Sequence, residues 1–311
     1  MRPGDATEAE RLAACLASYA QQHGDLPGLI QQPGADDVLI EQIVESQRRN
    51  RYVAYLTGIQ LSPGRADPHS GMFDPIRAAI LHRRSGQLDE AFWMIFLYTH
   101  FGKHRASQYG YATDVYGSLG ATPYWTWDRV SAHLNDFRTW LDANKATIKA
   151  NHKPGGFGNH RKYESLDGWS YSGTGAVVES YVDWVGDNGH VAKINSVAGN
   201  STGQNGFDLL YESLDTVHRF GRTARFDYLM MANKVGLLSG PPGHAHLRSA
   251  TGPQRGVRLL GTGDVKGSMS PQEQDSLLAK LEAHLQVGFD VLEDALCNWQ
   301  KSPTTFKPFR G

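Results

Sequence analysis

The stretch that decides the fold is GFDLLYESLDTVHRFGRTARFDYLMMANKVG, residues 206–236. Apolar side chains recur at helical spacing on both sides of a short polar turn, which is typical of two amphipathic helices. These apolar positions are Phe207, Leu210 and Leu214 before the turn, and Phe226, Leu229, Met230 and Val235 after it. The pattern predicts a helix, a tight turn over residues 217–222 and a second helix.

The turn, VHRFGR, has the pattern of the centre of a helix-hairpin-helix. In that motif a glycine lets the backbone turn tightly, so that amides at the start of the next helix face a DNA phosphate. Gly221 is that glycine here, and Arg219, Arg222 and Arg225 around it are suited to phosphate contact. An ordinary pair of helices with a basic turn in water gives the same pattern, so both interpretations stay open.

Most of the remaining chain also has helical periodicity, and few segments alternate as strands do. The predicted helices run from a capping box at Thr7–Glu10 to about Gln22, over Asp36–Leu56, from Pro75 to His82 behind the N-cap Asp74, over Gln87–Phe101, over Trp127–Ile148, and from Pro271 to Trp299 behind a capping box at Ser270. Gln87–Phe101 is apolar on almost every side after Glu90, which predicts a central buried helix. The predicted fold class is all-α. We predict a single domain, with approximate sub-parts 1–150, 151–204, 205–262 and 263–311.

Length and composition are typical of a globular protein. The 311 residues, 40% hydrophobic and 20% charged, are enough to bury a sizeable core. Two cysteines provide no disulfide framework and no cysteine-based zinc site. The longest run of large apolar residues, about Ala91–Tyr98, is far short of a bilayer span, and the N-terminal segment lacks the pattern of a signal peptide. We therefore expect a cytoplasmic protein without a membrane partner.

The net charge of −1 hides an uneven distribution along the chain. Residues 217–262 carry seven lysines and arginines against one acid, Asp227, and residues 145–162 carry five with no acid. Residues 1–46 and 263–300 are acidic, with net charges of −6 and −5. A polyanion would be attracted to the two basic stretches, unless the fold scatters their charges over the surface.

Several blocks between about residues 75 and 260 resemble one family. These blocks are Asp89–Trp93, Thr99–His104, Phe157–Ser165, Phe220–Arg222 with Arg225–Leu229, and Ala250–Pro253 followed by Gly256. As a set they are similar to the α-glutamyl/putrescinyl-thymine pyrophosphorylases. The resemblance implies a fold like that of helix-hairpin-helix DNA glycosylases and a role with hypermodified bases in phage DNA. Bacterial anti-phage glycosylases that excise glucosylated hydroxymethylcytosine resemble the same family.

The chain departs from ordinary helix-hairpin-helix glycosylases at three places. Their hairpin usually has proline and glycine where His218 and Arg219 stand. The lysine that forms a Schiff base in bifunctional members is replaced by residues 222–224, Arg-Thr-Ala, which predicts no lyase step. Their catalytic aspartate usually lies about 20 residues beyond the hairpin, where residues 238–242 contain no acid.

Another carboxylate must then stabilise the positive charge that develops on the sugar when an N-glycosidic bond breaks. Asp227, the one acid of the basic segment, is the first candidate, and Glu164 is the second. Asp183, on a predicted apolar helix, is the third. The structural alternatives are ion pairs of Asp227 with Arg222 or Arg225, and of Glu164 with Arg161 or Lys162.

A glycine-rich loop, residues 153–175, is expected to display the binding residues. A flipped base needs aromatic stacking and polar contacts at its edge. The expected base-binding residues are Asn159, His160, Tyr163 and Trp169; the aromatic cluster at residues 124–127 is a further source of stacking or a part of the core. The expected DNA-binding residues are Arg161, Lys162, Arg219, Gly221, Arg222, Arg225 and Arg255.

The function predicted from these residues and the resemblance is that of a monofunctional DNA glycosylase. It would excise a bulky modified pyrimidine from phage DNA and leave an abasic site. The alternatives are a transferase that installs a hypermodification on thymine in DNA, and a DNA-binding module without catalysis. We expect double-stranded DNA with modified bases as the partner, no obligatory protein partner and no cofactor. A metal is not expected, because the spacing of His100 and His104 lacks a third ligand.

Overall fold

The computed structural model describes residues 3–199, 201 and 203–309. Within them it contains fifteen α-helices and no strand, which confirms the all-α prediction. The helices are α1 Pro3–His23, α2 Pro27–Ile30, α3 Ala35–Gly58, α4 Pro75–Arg84, α5 Leu88–Phe101, α6 Gly110–Tyr116, α7 Trp127–Ala132, α8 Leu134–Asn151, α9 Thr174–Val185, α10 Gly189–Ala198, α11 Gly203–Ser213, α12 Arg222–Lys234, α13 Thr251–Thr262, α14 Pro271–Leu285 and α15 Phe289–Trp299. No helix in these ranges combines the length and the apolar character that crossing a bilayer requires.

The chain forms two compact units. The first consists of residues up to Val53 together with Pro241–Phe309. Its core is built from α1, the first part of α3 and α13 to α15. Trp299 is fully buried there, and its indole Nε1 donates to the carbonyl oxygen of Ala35 at 3.0 Å. Gly256 lets α13 approach α15 closely, because a Cβ at this position would lie 2.4 Å from the carbonyl oxygen of Leu296.

The second unit, Ala54–Gly240, is arranged around α5. Every residue of α5 from Ala91 to Leu97 is at most 2% exposed, so the prediction of a central buried helix is confirmed. Helices α4, α6, α7, α10 and α12 pack against it. Because α5 is apolar on all sides, it is stable only when neighbouring helices cover all of them.

The predicted helix caps at Asp74 and Ser270 are both present. The Asp74 side chain accepts a hydrogen bond from the amide of Arg77 at 3.0 Å, with Pro75 at the first helical position. Ser270 and Glu273 form a reciprocal capping box at the start of α14. The predicted box at Thr7 is wrong, because α1 already begins at Pro3 and Thr7 lies inside it.

Two predicted long helices are each divided in two. The segment Trp127–Ile148 breaks at His133, whose φ of −130° and ψ of 48° are not helical, between α7 and α8. The C-terminal segment breaks after α14, where Gln286 and Gly288 have φ values of 51° and 95°. Apolar spacing continues across both breaks, so periodicity alone did not reveal them. The division of the sequence into sub-parts at residues 150, 204 and 262 stays a prediction.

A core truncation in α5 tests the importance of this helix. Phe96 is fully buried, and its ring centroid lies 4.1 Å from that of Tyr181 and 5.6 Å from that of Phe220. We expect Phe96→Ala to lower the free energy of unfolding by about 3–5 kcal/mol, through lost burial and a residual cavity. Urea denaturation measures this change. The control is Leu88→Ala on the same helix, where the side chain is 36% exposed and a change of about 0.5 kcal/mol is expected. Equal losses of stability in the two variants would contradict the conclusion that Phe96 lies in the core around α5.

Candidate functional site

The helical hairpin predicted from residues 206–236 is present. It consists of α11, a 3-10 turn at Leu214–Thr216, a tight connection and α12. The apolar positions that predicted the two helices are all buried, namely Phe207, Leu210, Leu214, Phe226, Leu229, Met230 and Val235. This burial fixes the hairpin in the second unit. In its connection Val217 and Phe220 are buried as well, whereas Arg219 is exposed.

The backbone of the turn differs from the expectation. Gly221 has a φ of −65° and a ψ of −177°, which any residue adopts, and a Cβ there would have no atom within 4 Å. The left-handed residue is instead Arg219, with a φ of 57°. The tight-turn role expected of Gly221 is therefore wrong. Gly221 is the exposed N-cap residue of α12, and because it has no side chain it cannot cap the first amides of that helix itself.

A two-point ion pair joins the turn to the glycine-rich loop. Arg219 Nε donates to Glu164 Oε2 at 2.6 Å, and Arg219 Nη2 donates to Glu164 Oε1 at 3.1 Å. Nη2 also lies 3.2 Å from the carbonyl oxygen of Tyr163. The Glu164 side chain is only 9% exposed, compared with 31% for Arg219. Both carboxylate oxygens are thus engaged, and the partner is Arg219 rather than the Arg161 or Lys162 suggested by the sequence.

Asp227, on α12, has a different environment. In the described part of the chain its carboxyl forms no hydrogen bond and no ion pair, and the expected pair with Arg225 is absent because Arg225 contacts Asp215 at 3.0 Å. Burial raises the pKa of the Asp227 carboxyl above its usual value, although the positive charges of Arg161, His160, Arg222 and Lys234 act in the opposite direction. A partly buried carboxyl near several cations and bonded to none of them is typical of functional sites.

Arg161 is the cation with the largest effect on that carboxyl, and it lies in the interior. It is 8% exposed, and its Nε donates to the carbonyl oxygen of Thr99 on α5 at 2.8 Å. Its Nη2 is buried and has no hydrogen-bond partner among the residues described. Burial lowers the pKa of the guanidinium, while the charges of Asp227 and Glu164 raise it. Arg161 is therefore situated to act on Asp227 rather than on a surface phosphate.

The other expected DNA-binding residues differ in how accessible they are. Arg222 is 8% exposed, with its guanidinium carbon 4.6 Å from the Phe226 ring centroid. Arg225 is half-buried against Tyr211. Lys162 and Arg219 are exposed, as is Arg255, which lies on α13 of the first unit. Of the expected cations in the second unit, Lys162 and Arg219 are therefore the ones that solvent reaches.

The expected base-binding residues all lie on the exposed side of the glycine-rich loop. Asn159 and His160 are the exposed residues of the 3-10 turn Asn159–Arg161, whose third residue is buried. Tyr163 is 80% exposed and Trp169 is 50% exposed. The other aromatic cluster belongs to the core, since Trp125 and Trp127 are 1% and 5% exposed.

Short polar contacts order the glycine-rich loop. The Asp167 carboxylate accepts from the amide of Ser170 at 3.0 Å and from Lys145 Nζ at 3.1 Å, and these contacts lower its pKa to about 2. Gly175 permits a close approach, because a Cβ there would lie 1.9 Å from the carbonyl oxygen of Gly168. Arg138 Nε donates to that same carbonyl at 2.9 Å. The loop therefore has a defined conformation although it lacks regular structure.

No pattern in the sequence indicates the polar chain, buried except for the half-exposed Asp89, that holds α12 in place. Asp89 Oδ1 lies 2.7 Å from His190 Nδ1, and His190 Nε2 lies 2.7 Å from the hydroxyl of Tyr181. The Tyr181 hydroxyl lies 2.8 Å from that of Tyr228, the residue after Asp227. Burial lowers the pKa of His190, with Asp89 opposing this effect. Asp89 lies in one of the family-like blocks, but its partner is 101 residues away, so no local pattern predicts the chain.

The third candidate acid, Asp183, is exposed on α9. Its burial therefore does not distinguish it from other carboxylates at the surface. Asp227 and Glu164 lie at the junction of the loop and the hairpin, each within the electrostatic influence of Arg161. The structure thus brings together two sequence segments that both contribute expected site residues, 159–169 and 219–227.

A sequence profile of the family described as alpha-glutamyl/putrescinyl thymine pyrophosphorylase clade 3 matches residues 34–311. The chain belongs to this family, which confirms the resemblance found in the sequence. The family is linked to thymine hypermodification, consistent with an enzyme related to DNA base modification. Comparison with curated proteins and with solved structures gives no match, so the helix-hairpin-helix glycosylase fold stays a prediction.

The raised pKa of Asp227 predicts a stability effect with a defined sign. The protonated carboxyl favours the native state, and this contribution, complete below the unfolded value of about 3.8, is lost as pH rises through the native pKa. We therefore expect Asp227→Asn to be more stable than wild type in urea at pH 8, with a difference that narrows as the pH falls toward 4.

The control for that experiment is Asp183→Asn, because water hydrates the exposed Asp183 carboxyl in the folded and the unfolded chain alike. The free energy of unfolding of Asp183→Asn should differ from that of wild type by at most about 0.5 kcal/mol. An Asp227→Asn variant that is less stable than wild type at pH 8 would mean that the native carboxylate is stabilised by its cations.

A double-mutant cycle tests the junction between loop and hairpin. Glu164→Gln and Arg219→Gln should show a coupling energy of about 1–2 kcal/mol, because their two-point contact is charge-assisted and partly buried. The comparison is the pair of Glu8 and Arg11 within α1, 2.7 Å apart, whose side chains are more exposed at 23% and 40% and where about 0.5 kcal/mol is expected. Chemical denaturation of the single and double variants gives both values, and equal couplings would contradict a structural role for the junction.

Proposed function

We propose that the protein is a monofunctional DNA glycosylase that removes a bulky modified pyrimidine, in defence against phage. The single observation that carries this proposal is the carboxyl of Asp227, partly buried and unbonded among cations on the hairpin helix. Membership of a family linked to thymine hypermodification supports DNA as the substrate. That the removed base is a bulky modified pyrimidine is also part of the proposal, and it rests on the resemblance to the family.

Asp227 is suited to the chemical step in two ways. Its negative charge would stabilise the positive charge that develops on the sugar as the N-glycosidic bond lengthens. Its raised pKa brings the carboxyl closer to the neutral range, where accepting a proton from the attacking water is favourable. Glu164 is less suited, since Arg219 binds both of its oxygens and the resulting pair holds the loop.

DNA would be held by the surface around the start of α12. Its first amides are left without a side-chain cap at Gly221, and amides at a helix start bind phosphate. Exposed Lys162 and Arg219 would add charge-assisted contacts. Asn159 and His160 would contact the edge of an extruded base, with Tyr163 or Trp169 stacking on its face.

A second candidate activity is replacement of a diphosphate on a modified thymine by an amine. The cations around Asp227, in particular Arg161 with its unpartnered Nη2, favour this alternative because they suit an anionic leaving group. The new carbon–nitrogen bond would form as the carbon–oxygen bond to the diphosphate breaks. Asp227 would accept the proton that the amine loses, and the diphosphate would leave as an anion.

One experiment compares the two carboxylates. We expect Asp227→Asn to lower the single-turnover rate on phage DNA with modified pyrimidines by at least about 100-fold while DNA binding persists, because its charge acts in the transition state. Glu164→Gln should bind DNA more weakly and retain most of the single-turnover rate. Abasic sites, cleaved by alkali and resolved on a gel, provide the measurement. Wild-type rates in Asp227→Asn would remove Asp227 from the mechanism.

The product distinguishes glycosylase, transferase and binding module. Excision gives abasic sites and a free base, whereas displacement gives inorganic pyrophosphate and intact strands when an amine such as putrescine is present. DNA that binds in a salt-dependent manner without either product would contradict both proposed activities.

A further inference from the structure

Three large aromatic side chains project from one short segment of the glycine-rich loop. Tyr163, Trp169 and Tyr171 are 80%, 50% and 80% exposed, and we call them the aromatic face. Most other tryptophan and phenylalanine side chains of the second unit are in its core. Several exposed rings within nine residues mark a surface that binds something, since burying them in a complex recovers their apolar area.

Each ring of the aromatic face lies beside a basic side chain. Lys162 Nζ is 5.1 Å from the ring centroid of Tyr163, and the guanidinium carbon of Arg138 is 4.4 Å from that of Trp169. The rings of Tyr171 and His218 are 4.2 Å apart, edge to face. Lys162 is exposed, whereas Arg138 is buried and paired with Glu179 at 2.6 Å. The aromatic face therefore combines planar apolar groups with an accessible positive charge, which complements a partner that has both planar groups and negative charge.

The aromatic face is ordered before any partner binds. Asp167 accepts from the amides of Trp169 and Ser170 at 3.3 and 3.0 Å. The hydroxyl of Thr174 donates to the carbonyl oxygen of Ser165 at 2.7 Å, which closes the loop. Such a loop loses little conformational entropy on binding, so the rings are presented at low cost.

We propose that the aromatic face binds unpaired nucleotides of a DNA strand. Bases in an intact duplex already stack on one another, so these rings can stack only on bases that have left the helix. The inference rests on the proposed function in taking DNA as the partner. It adds that the strand at the site is single, whereas the sequence suggested double-stranded DNA.

A protein partner, including a second copy of this chain, would also cover exposed tyrosine and tryptophan. The exposed Lys162 beside Tyr163 favours the nucleic acid, because a strand supplies a phosphate for each base that stacks. Single-stranded DNA is chosen over RNA because the family concerns thymine.

Fluorescence anisotropy with labelled oligonucleotides tests the proposal. Wild type should bind a thymidine-rich single strand more tightly than a blunt duplex of the same length. Trp169→Ala and Tyr171→Ala should each weaken single-strand binding by about tenfold. The control is Tyr55→Ala on α3, which removes a ring that is 61% exposed outside the loop and should have no effect.

Three outcomes would overturn the proposal. They are equal or tighter binding of the duplex, alanine variants with wild-type affinity, and tighter binding of single-stranded RNA than of DNA of the same length. Sedimentation of wild type and Trp169→Ala provides a fourth, since self-association lost in the variant would assign the aromatic face to a second copy.

The binding assay is independent of the chemistry. Repeating it with Asp227→Asn, in which turnover is expected to be lost, should give the same single-strand preference. A wild-type protein that prefers single strands but forms neither abasic sites nor pyrophosphate on DNA with modified pyrimidines would leave this inference standing and contradict the proposed function. Excision from duplex DNA by a protein without single-strand preference would contradict the inference alone.

Discussion

The second unit depends on the need to cover α5 on every side. A helix with ten buried residues has no face for solvent, and its neighbours must supply the surrounding apolar surface. Helix α12 supplies part of it, and Phe220, at the turn before α12, stacks on Phe96 with ring centroids 5.6 Å apart. Hydrophobic burial therefore fixes the position of the hairpin independently of its polar groups.

This packing explains why charged groups are buried close to Asp227. Arg161 reaches the carbonyl oxygen of Thr99 near the end of α5, and the pKa of Tyr98 on the same helix is raised by burial and by the charge of Asp227. A carboxyl so enclosed loses hydration, and the nearby cations compensate only in part. Burying the carboxyl in this way destabilises the fold. Proteins retain such a destabilising group at sites where its reactivity is needed.

Much of the fold can be predicted from the sequence. Particular residues show which features cannot be predicted in this way, and why. Helix α5 and the caps at Asp74 and Ser270 depend on local patterns, which the sequence displays. The breaks at His133 and Gly288 lie within continuing apolar spacing, and packing decides them. For the site, the sequence pointed to the loop, the hairpin and Asp227. It did not reveal that Arg161 and Arg222 are buried or that Arg219 pairs with Glu164, because those facts depend on contacts between distant segments.

Within the described residues the carboxyl of Asp227 has no bonded partner, and its own titration tests this most directly. Carbon-13 NMR of the side-chain carboxyl, assigned by the signal lost in Asp227→Asn, measures the pKa in the folded protein. We expect a midpoint above the ordinary value of 3.8, because burial disfavours the charged carboxylate. A midpoint at or below 3.8 would instead mean that the cations hold Asp227 as a stabilised carboxylate.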